Sequence, residues 1–172
     1  MKLESIKLTN FKAFKNVEIN NLPRFSVFVG ANGTGKTTLF NVFSFLKDAL
    51  TENVHVALTK LGGSKGFQDV RSRGAEGSIE IELKFRQEEK SPLVTYFLSI
   101  NEENGRPTVE KEILQYRRGS KGKPWRFLEF SKGKGEAVTN EPDKVTDEKR
   151  LIREAHELKS PDILALTGLA QF

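Results

Sequence analysis

The 172-residue sequence predicts an α/β fold with an antiparallel β-subdomain, and three observations support that prediction. Residues 25–29 form a nearly continuous apolar run, which is typical of a strand buried on both faces. A glycine-rich loop follows directly at residues 30–35, and residues 36–50 then carry apolar side chains at helical spacing. Residues 78–130 instead show four successive strand patterns, which favour an antiparallel meander.

The other elements are predicted from apolar alternation and from turn residues. Residues 2–8 and 17–19 are typical of two short strands, and a short helix is expected at 54–61. An Asn104-Gly105 pair marks one turn of the meander. Its four strands are expected at residues 78–85, 93–100, 108–116 and 125–130.

The last third of the chain predicts one more helix. Residues 133–144 are polar and are expected to be mobile, whereas residues 147–159 have the pattern of an amphipathic helix that ends at Ser160-Pro161. The side chains expected to face inward from this helix are Leu151, Ile152, Ala155 and Leu158. We divide the chain into a core of about residues 1–62, a β-subdomain of about 78–131, and a helix with a linker at 143–172.

Composition excludes several classes of protein. Hydrophobic residues make up 37% of the chain, which is enough to bury a core, and the lack of cysteine excludes disulfides and thiolate metal sites. The first residues lack the apolar region of a secretion signal, and no apolar run approaches the roughly 20 residues that cross a bilayer. We therefore expect a cytoplasmic globular protein with no membrane partner.

The net charge of +5 is concentrated in one segment. Residues 117–134 hold seven basic residues and one acid, Glu129, so this stretch carries +6 and the rest of the chain sums to −1. Trp125 and Phe127 lie between the charges, which is compatible with a nucleic-acid surface where an aromatic ring stacks on a base. A solvated hairpin with its aromatic rings turned toward the core is the alternative. The basic residues are Arg117, Arg118, Lys121, Lys123, Arg126, Lys132 and Lys134.

The sequence Gly30-Ala31-Asn32-Gly33-Thr34-Gly35-Lys36-Thr37 has the P-loop pattern G-x-x-x-x-G-K-[ST]. Glycines let successive backbone N–H groups point into one anion-binding concavity, and the helix that follows adds its N-terminal dipole. Lys36 can reach the β- and γ-phosphates of a nucleotide as the catalytic lysine, and the Thr37 hydroxyl can hold Mg²⁺. A buried strand before the loop and an amphipathic helix after it are the context that this motif requires.

Two further features point to a family. With Asn32, the loop resembles the form found in ABC-type ATPases, and the opening Asn10-Phe11-Lys12-Ala13-Phe14 resembles the start of RecF and SMC heads. Residues 66–74, Gly-Phe-Gln-Asp-Val-Arg-Ser-Arg-Gly, are similar to a basic turn in those heads. The chain therefore resembles the N-terminal lobe of RecF/SMC-like AAA family ATPases, which act in DNA repair and in anti-phage defence.

The resemblance implies ATP and Mg²⁺ as cofactors and gives a set of site residues. Mg²⁺ would be held by Thr37 and sensed by Gln171, which stands where the family has a metal-sensing glutamine. The residues that would bind the ATP phosphates are Gly30, Asn32, Gly33, Thr34, Gly35, Lys36, Thr37 and Thr38.

The resemblance also implies partners and a missing half. In the family, two heads form a homodimer around ATP and control an action on DNA, in some systems with a nuclease partner. The family's Walker B strand, which ends in Asp-Glu, and its signature serine-glycine motif are absent from this sequence. Because the family carries both in a second lobe, we expect a lobe that binds ATP and does not hydrolyse it alone.

Several residues keep two interpretations. Lys12 and Lys15 could contact phosphates or form a solvated basic face, and Arg71 and Arg73 could reach nucleotide or DNA. His55 and His156 have no acidic cluster at metal-ligand spacing near them, so a zinc site is not expected.

Two other functions stay open at this level. One is a self-contained P-loop kinase or NTPase, although the N-K-x-D element of a GTPase is absent and strands dominate residues 78–130. The other is a nucleic-acid-binding module without turnover, which would leave the P-loop unexplained.

Overall fold

The computed structural model describes residues 1–117, 123–140 and 147–168. Within these ranges the helices are α1 (Lys36–Thr51), α2 (Val54–Gly62), α3 (Phe67–Val70) and α4 (Ala165–Gly168), with short 3-10 helices at Gly63–Lys65 and Glu148–Arg150. The strands are β1 (Lys2–Phe11), β2 (Phe14–Ile19), β3 (Ile79–Arg86), β4 (Leu93–Glu103), β5 (Arg106–Arg117), β6 (Trp125–Ser131), β7 (Lys134–Val138) and β8 (Arg153–Glu157).

All of these strands belong to one antiparallel sheet in the order β2-β1-β3-β4-β5-β6-β7-β8. From β3 onward each strand pairs with the next one along the chain, which confirms the predicted meander. Asn104 and Gly105 both have positive φ (52° and 73°), as do Lys132 and Gly133 (51° and 80°), which matches the two-residue turns that suit the twist of a hairpin. The predicted turn at Asn104-Gly105 is therefore confirmed.

The main core lies between the sheet and α1, α2 and α3. Strand alternation sends one set of apolar side chains toward the helices, and the helical period returns a matching stripe from α1 and α2. Phe11 of β1 and Phe45 of α1 meet edge to face with ring centroids 6.2 Å apart. The fully buried members include Ile6, Leu8, Ile79, Ile81, Leu98, Ile100, Val42, Ala57 and Leu58.

The predicted helix at residues 147–159 is wrong. Its residues Arg153–Glu157 form strand β8, which pairs antiparallel with β7. Strand β7 in turn lies in the polar segment that was expected to be mobile. Ile152 is 57% exposed and Ala155 is exposed, so neither side chain faces inward as the helical pattern required. Pairing with the β7 backbone outweighs the helical preference of Glu, Ala and Arg, because local propensity is weaker than tertiary context.

The predicted strand at residues 25–29 is also not formed. The segment has no regular structure, and Phe25 and Val29 are 82% and 90% exposed. A buried strand needs neighbours for its N–H and C=O groups, and no strand of the described ranges lies beside it. Helix α1 nevertheless begins at the residue that the sequence predicts.

Candidate nucleotide-binding site

The P-loop connects the exposed, irregular residues 25–29 to the start of α1. Gly33 and Gly35 have φ of +85° and +91°, which glycine adopts without steric cost. Between them and Gly30 the backbone turns back on itself, because Ala31 O accepts the backbone N–H of Thr34 at 3.4 Å and its hydroxyl at 2.9 Å. The glycine positions of the motif thus match a curled loop.

The side chain of Lys36 arches back over this loop. Its Nζ donates to Gly30 O at 2.5 Å and to Ala31 O at 2.6 Å, and it lies 3.4 Å from Thr34 Oγ1. These contacts hold a positive charge over the loop and against the N-terminal end of a 16-residue helix. The lysine and the helix dipole therefore both attract a polyanion at this place.

The first turn of α1 is free of features that would compete with a phosphate. The N-cap is Gly35, which has no side chain to bond the first N–H groups, and the turn contains no acidic residue. Thr37 is exposed, so its hydroxyl is accessible, whereas the Thr38 side chain is buried. Of the residues expected to bind phosphate, Thr38 is thus placed to contribute its backbone N–H rather than its hydroxyl.

Phe14 at the start of β2 supports the loop from the sheet side. A Cβ atom at Gly35 would lie 2.5 Å from Phe14 Cε1, so the ring packs against this glycine too closely for a side chain. The sequence analysis gave Phe14 no role, although it closes the Asn10–Phe14 segment on which the family resemblance rests. The sequence thus contained Phe14 within a recognisable segment, but its contact with Gly35 could be found only in the three-dimensional structure.

The basic segment at residues 66–74 packs beside the same hairpin. Lys12 N donates to Val70 O at 2.6 Å, and Ser72 Oγ donates to Phe14 O at 2.9 Å. Arg71 is used locally: it bonds Gln68 Oε1 at 3.1 Å and lies 5.2 Å from the Phe67 ring centroid. Arg73 is exposed two residues further on, which leaves it the better placed of the two for a ligand.

Of Lys12 and Lys15, the first is bonded within the protein and the second is exposed. Lys12 Nζ donates to Leu61 O at 3.2 Å and so ties the β1–β2 turn to the end of α2. Lys15 is exposed on the edge strand β2. The structural role of Lys12 is therefore clear, and Lys15 belongs to the solvated surface.

Three basic residues of the stretch at 117–134 are paired with acidic side chains. Arg126 pairs with Glu129 at 2.5 Å, Lys132 with Glu103 at 2.5 Å, and Lys134 with Glu157 at 3.0 Å. Although burial opposes it, hydrogen bonds from Arg126 and Lys111 lower the pKa of Glu129. Phe127 stacks on Tyr116 with ring centroids 4.3 Å apart. These contacts favour the surface hairpin over a nucleic-acid surface.

Glu112 is a buried residue that the sequence analysis missed. This carboxylate on β5 accepts the backbone N–H groups of Ala165 at 2.5 Å and Leu166 at 3.3 Å and the Tyr96 hydroxyl at 3.1 Å. Burial raises the pKa of Glu112, and these three hydrogen bonds oppose that rise. It fixes the first turn of α4 to the sheet. Strand β5 also contains Glu110, and nothing in the sequence marked Glu112 as the glutamate that is fully buried.

The predicted metal ligands are only partly placed. Thr37 lies at the P-loop, whereas Gln171 lies outside the described residues. Arg118 and Lys121 of the basic stretch also lie outside them. Within residues 1–117, 123–140 and 147–168, no three His, Cys, Asp or Glu side chains cluster in a way that could hold a metal ion. The same ranges contain no helix that is long and apolar enough to span a membrane.

The comparison with known families decides the assignment. A family model described as an AAA ATPase domain matches residues 1–161. This chain belongs to the AAA ATPase domain family. Family membership and the P-loop geometry together make it an ATPase domain with an α/β fold.

Individual relatives confirm the resemblance to RecF. The chain is 32% identical over 90 residues to the DNA replication and repair protein RecF of Lactobacillus johnsonii, covering 50% of this chain and 23% of that protein. It is 26% identical over 92 residues to RecF of Heliobacterium modesticaldum, covering 52% and 25%, and 33% identical over 82 residues to RecF of Mesorhizobium japonicum, covering 46% and 22%. The matched parts span about a quarter of the length of these relatives.

One solved structure is similar in part. It comes from work on the ATP-driven dimerization and DNA stimulated activation of SMC ATPases, and it covers 70% of this chain and 73% of that chain. The TM-score is 0.45 and the sequence identity is 21%.

Proposed function

We propose that this chain is the ATP-binding lobe of a RecF/SMC-like ATPase in which ATP-driven association of two heads controls an action on DNA. The observation that carries the proposal is the position of Lys36 Nζ over the curled loop, against the N-terminus of α1. We expect the protein to act in the cytoplasm and not at a membrane.

The residues of the loop fit a nucleoside triphosphate. Gly33 leaves open space where a Cβ would otherwise project toward a phosphate oxygen, and Lys36 supplies a full positive charge. Gly30, Asn32, Thr34 and the first N–H groups of α1 complete the cradle. Bound Mg²⁺ would neutralise phosphate charge, and the exposed Thr37 hydroxyl is the group that would hold it.

An apolar face beside the loop supports a second lobe. Residues 25–29 are exposed and have no regular structure, and next to them Phe40 and Phe43 of α1 are 57% and 41% exposed. With Phe28 and Leu39 these side chains line a groove of about 490 Å³. We propose that a lobe with a strand parallel to residues 25–29 covers this face. That lobe would bring the Walker B Asp-Glu and the signature motif, and hydrolysis would require it.

The DNA-repair role follows from the RecF relatives, whose names state that process. A homodimer of heads around ATP and a nuclease partner in an anti-phage system are finer proposals. The self-contained kinase is less well supported, because the sheet of the described residues is antiparallel throughout rather than a set of parallel strands alternating with helices.

The test is an isothermal titration with Mg²⁺-ATP, combined with a phosphate-release assay on the same samples. We expect the chain to bind ATP without turnover. Lys36→Ala should weaken binding by at least about tenfold, because one charged contact to phosphate is lost. Lys47→Ala is the matched control, since Lys47 is an exposed lysine on the same helix, and it should bind like the unmodified chain.

Three results would count against the proposal. Equal ATP affinity of the Lys36→Ala and Lys47→Ala variants would show that Lys36 does not bind the phosphates. Turnover by the chain alone would favour a self-contained enzyme. DNA binding that neither ATP nor Lys36→Ala changes would favour a nucleic-acid module.

A further inference from the structure

Strand β8 is the last strand of the sheet and presents one free edge. Ile152 O accepts the N–H of Thr139 at 3.0 Å, and Leu158 N donates to Gly133 O at 2.8 Å, so the even-numbered residues face β7. In an antiparallel ladder these groups alternate in direction, which turns the N–H and C=O groups of Arg153, Ala155 and Glu157 outward. Among the described strands none pairs with that side. Such an edge is a template for another strand.

The residues on the two sides of Ala155 are complementary to each other in charge and polarity. Reading outward from Ala155, Glu154 is matched by His156, Arg153 by Glu157, and Ile152 by Leu158. If a second copy of β8 lies antiparallel with Ala155 opposite Ala155, each of these residues faces its complement. The sequence thus specifies two Arg–Glu pairs, two Glu–His pairs and two apolar pairs in one register.

We propose that β8 pairs with β8 of a second copy of this chain, with the two-fold axis at Ala155. The register uses only outward-pointing backbone groups, those of Arg153, Ala155 and Glu157 in both copies. A shift of two residues in either direction would place Glu154 opposite Glu154 or His156 opposite His156. The first shift brings two glutamates together, and the second also places Arg153 opposite Lys159. Like charges directly opposite each other are unfavourable, so the Ala155 register is selected.

Charges already present on each copy extend the contact. Within one copy, Glu157 pairs with Lys134 at 3.0 Å and Arg153 pairs with Glu148 at 3.1 Å. Joining the two edges places Glu157 of one copy beside Arg153 of the other. Each side of the junction then becomes an alternating row: Lys134, Glu157, Arg153 of the second copy, Glu148 of the second copy.

The proposed pairing would also cover the exposed side chain of Ile152. It is 57% exposed on a strand edge, a position where a large apolar side chain is a liability. In the paired state it faces Leu158 of the second copy, which is half-buried against the smaller apolar cluster around Leu128 and Phe130. The pairing therefore covers apolar surface as well as backbone groups.

This contact is separate from the ATP site. Phe14, which packs on the P-loop, lies in β2 at the opposite edge of the sheet, seven strand spacings from β8. That is about 33 Å across the strands. The pairing is therefore expected without nucleotide, and a head dimer around ATP would leave it available.

Disulfide trapping tests the axis directly, because the chain has no cysteine of its own. In the proposed register the two Ala155 Cα atoms lie about 5.5 Å apart, within the range of a disulfide. Ala155→Cys should give a cross-linked dimer under mild oxidation. Lys159→Cys is the matched control: it is exposed in the same segment, and its two copies would lie about 26 Å apart. Equal cross-linking of the two variants would overturn the proposal.

Charge reversal tests the pairing independently. Arg153→Glu and Glu157→Arg should each weaken self-association about tenfold in sedimentation at several hundred micromolar protein, without nucleotide. An equimolar mixture of the two variants should associate again, because each reversed charge then meets its opposite in the other chain. Recovery in the mixture also shows that both variants are folded.

Glu18→Arg on the other edge strand, β2, is the control for reversal of an exposed glutamate and should associate like the unmodified chain. A mixture that stays as monomeric as its components would overturn the proposal. Lys36→Ala should leave this association unchanged while it weakens ATP binding, so the two proposals fail separately.

Discussion

The meander from β3 to β6 and the segment that leads into the P-loop use similar sequence signals with opposite results. Ile79, Ile81, Leu98 and Ile100 are apolar and fully buried, whereas Phe25 and Val29 are apolar and more than four-fifths exposed. The difference is the location of the partner strand. Each meander strand pairs with its neighbour in sequence, while residues 25–29 have no partner among the described strands. An apolar run predicts burial only where the chain also supplies what buries it.

The largest effect should come from the buried side of this comparison. Leu98→Ala removes a fully buried side chain from the contact between sheet and helices, and it should lower the free energy of unfolding by about 2–5 kcal/mol. Urea denaturation with a fluorescence or circular dichroism readout measures it. A loss below about 1 kcal/mol would mean that the core is less tightly packed than described.

Glu112 should give the next largest effect. Glu112→Gln replaces an acceptor oxygen by an NH₂ group that faces the Ala165 or Leu166 N–H, and it should cost about 1–3 kcal/mol of unfolding free energy. A stability equal to that of the unmodified chain would show that α4 does not depend on this contact.

The pH dependence of Glu112 has a defined sign. Because burial raises its folded pKa above the ordinary value of 4.5, the folded state takes up the proton more readily than the unfolded state. The stability that the protonated Glu112 contributes is fully present below pH 4.5 and is lost as the pH rises through the raised pKa of the folded state. The stability gap between the unmodified chain and Glu112→Gln should therefore narrow from pH 4 to pH 7, and a gap that widens would contradict this assignment.

Gly35→Ala sharpens the comparison at the loop itself. The added methyl would meet the Phe14 ring and require φ of +91°, so we expect a loss of about 1–2 kcal/mol and weaker ATP binding. Adding Phe14→Ala removes the clash and leaves the backbone cost. In a double-mutant cycle, the double variant should lose less stability than the sum of the two single variants. Simple additivity would show that the ring does not support the loop.

The smallest effect should come from the exposed apolar segment. Val29→Thr changes a side chain that is 90% exposed, so the unfolding free energy should move by less than about 0.5 kcal/mol. In a longer protein that carries the proposed second lobe, the same change should be clearly destabilising. A large loss in the 172-residue chain would mean that residues 25–29 are buried in it.

Elements with local partners were the ones that sequence could predict. The meander follows from alternation and turn residues, and α1 follows from the motif and the helical period, because both signals lie within a few residues of the structure that they specify. β8 was mispredicted as a helix because its strand state depends on the β7 edge. The P-loop residues were predicted by pattern, whereas Phe14 and Glu112 act through contacts with residues 21 and 53 positions away.

Backbone amide chemical shifts, followed during a titration with Mg²⁺-ATP, test the ATP site most directly. We expect the amide signals of residues 30–38 to shift and those of β3 to β6 to stay in place, and the Lys36→Ala variant should show no shifts at the ATP concentrations that saturate the unmodified chain. Shifts confined to residues 123–134, or shifts at the loop that persist in Lys36→Ala, would contradict the assignment of the ATP site.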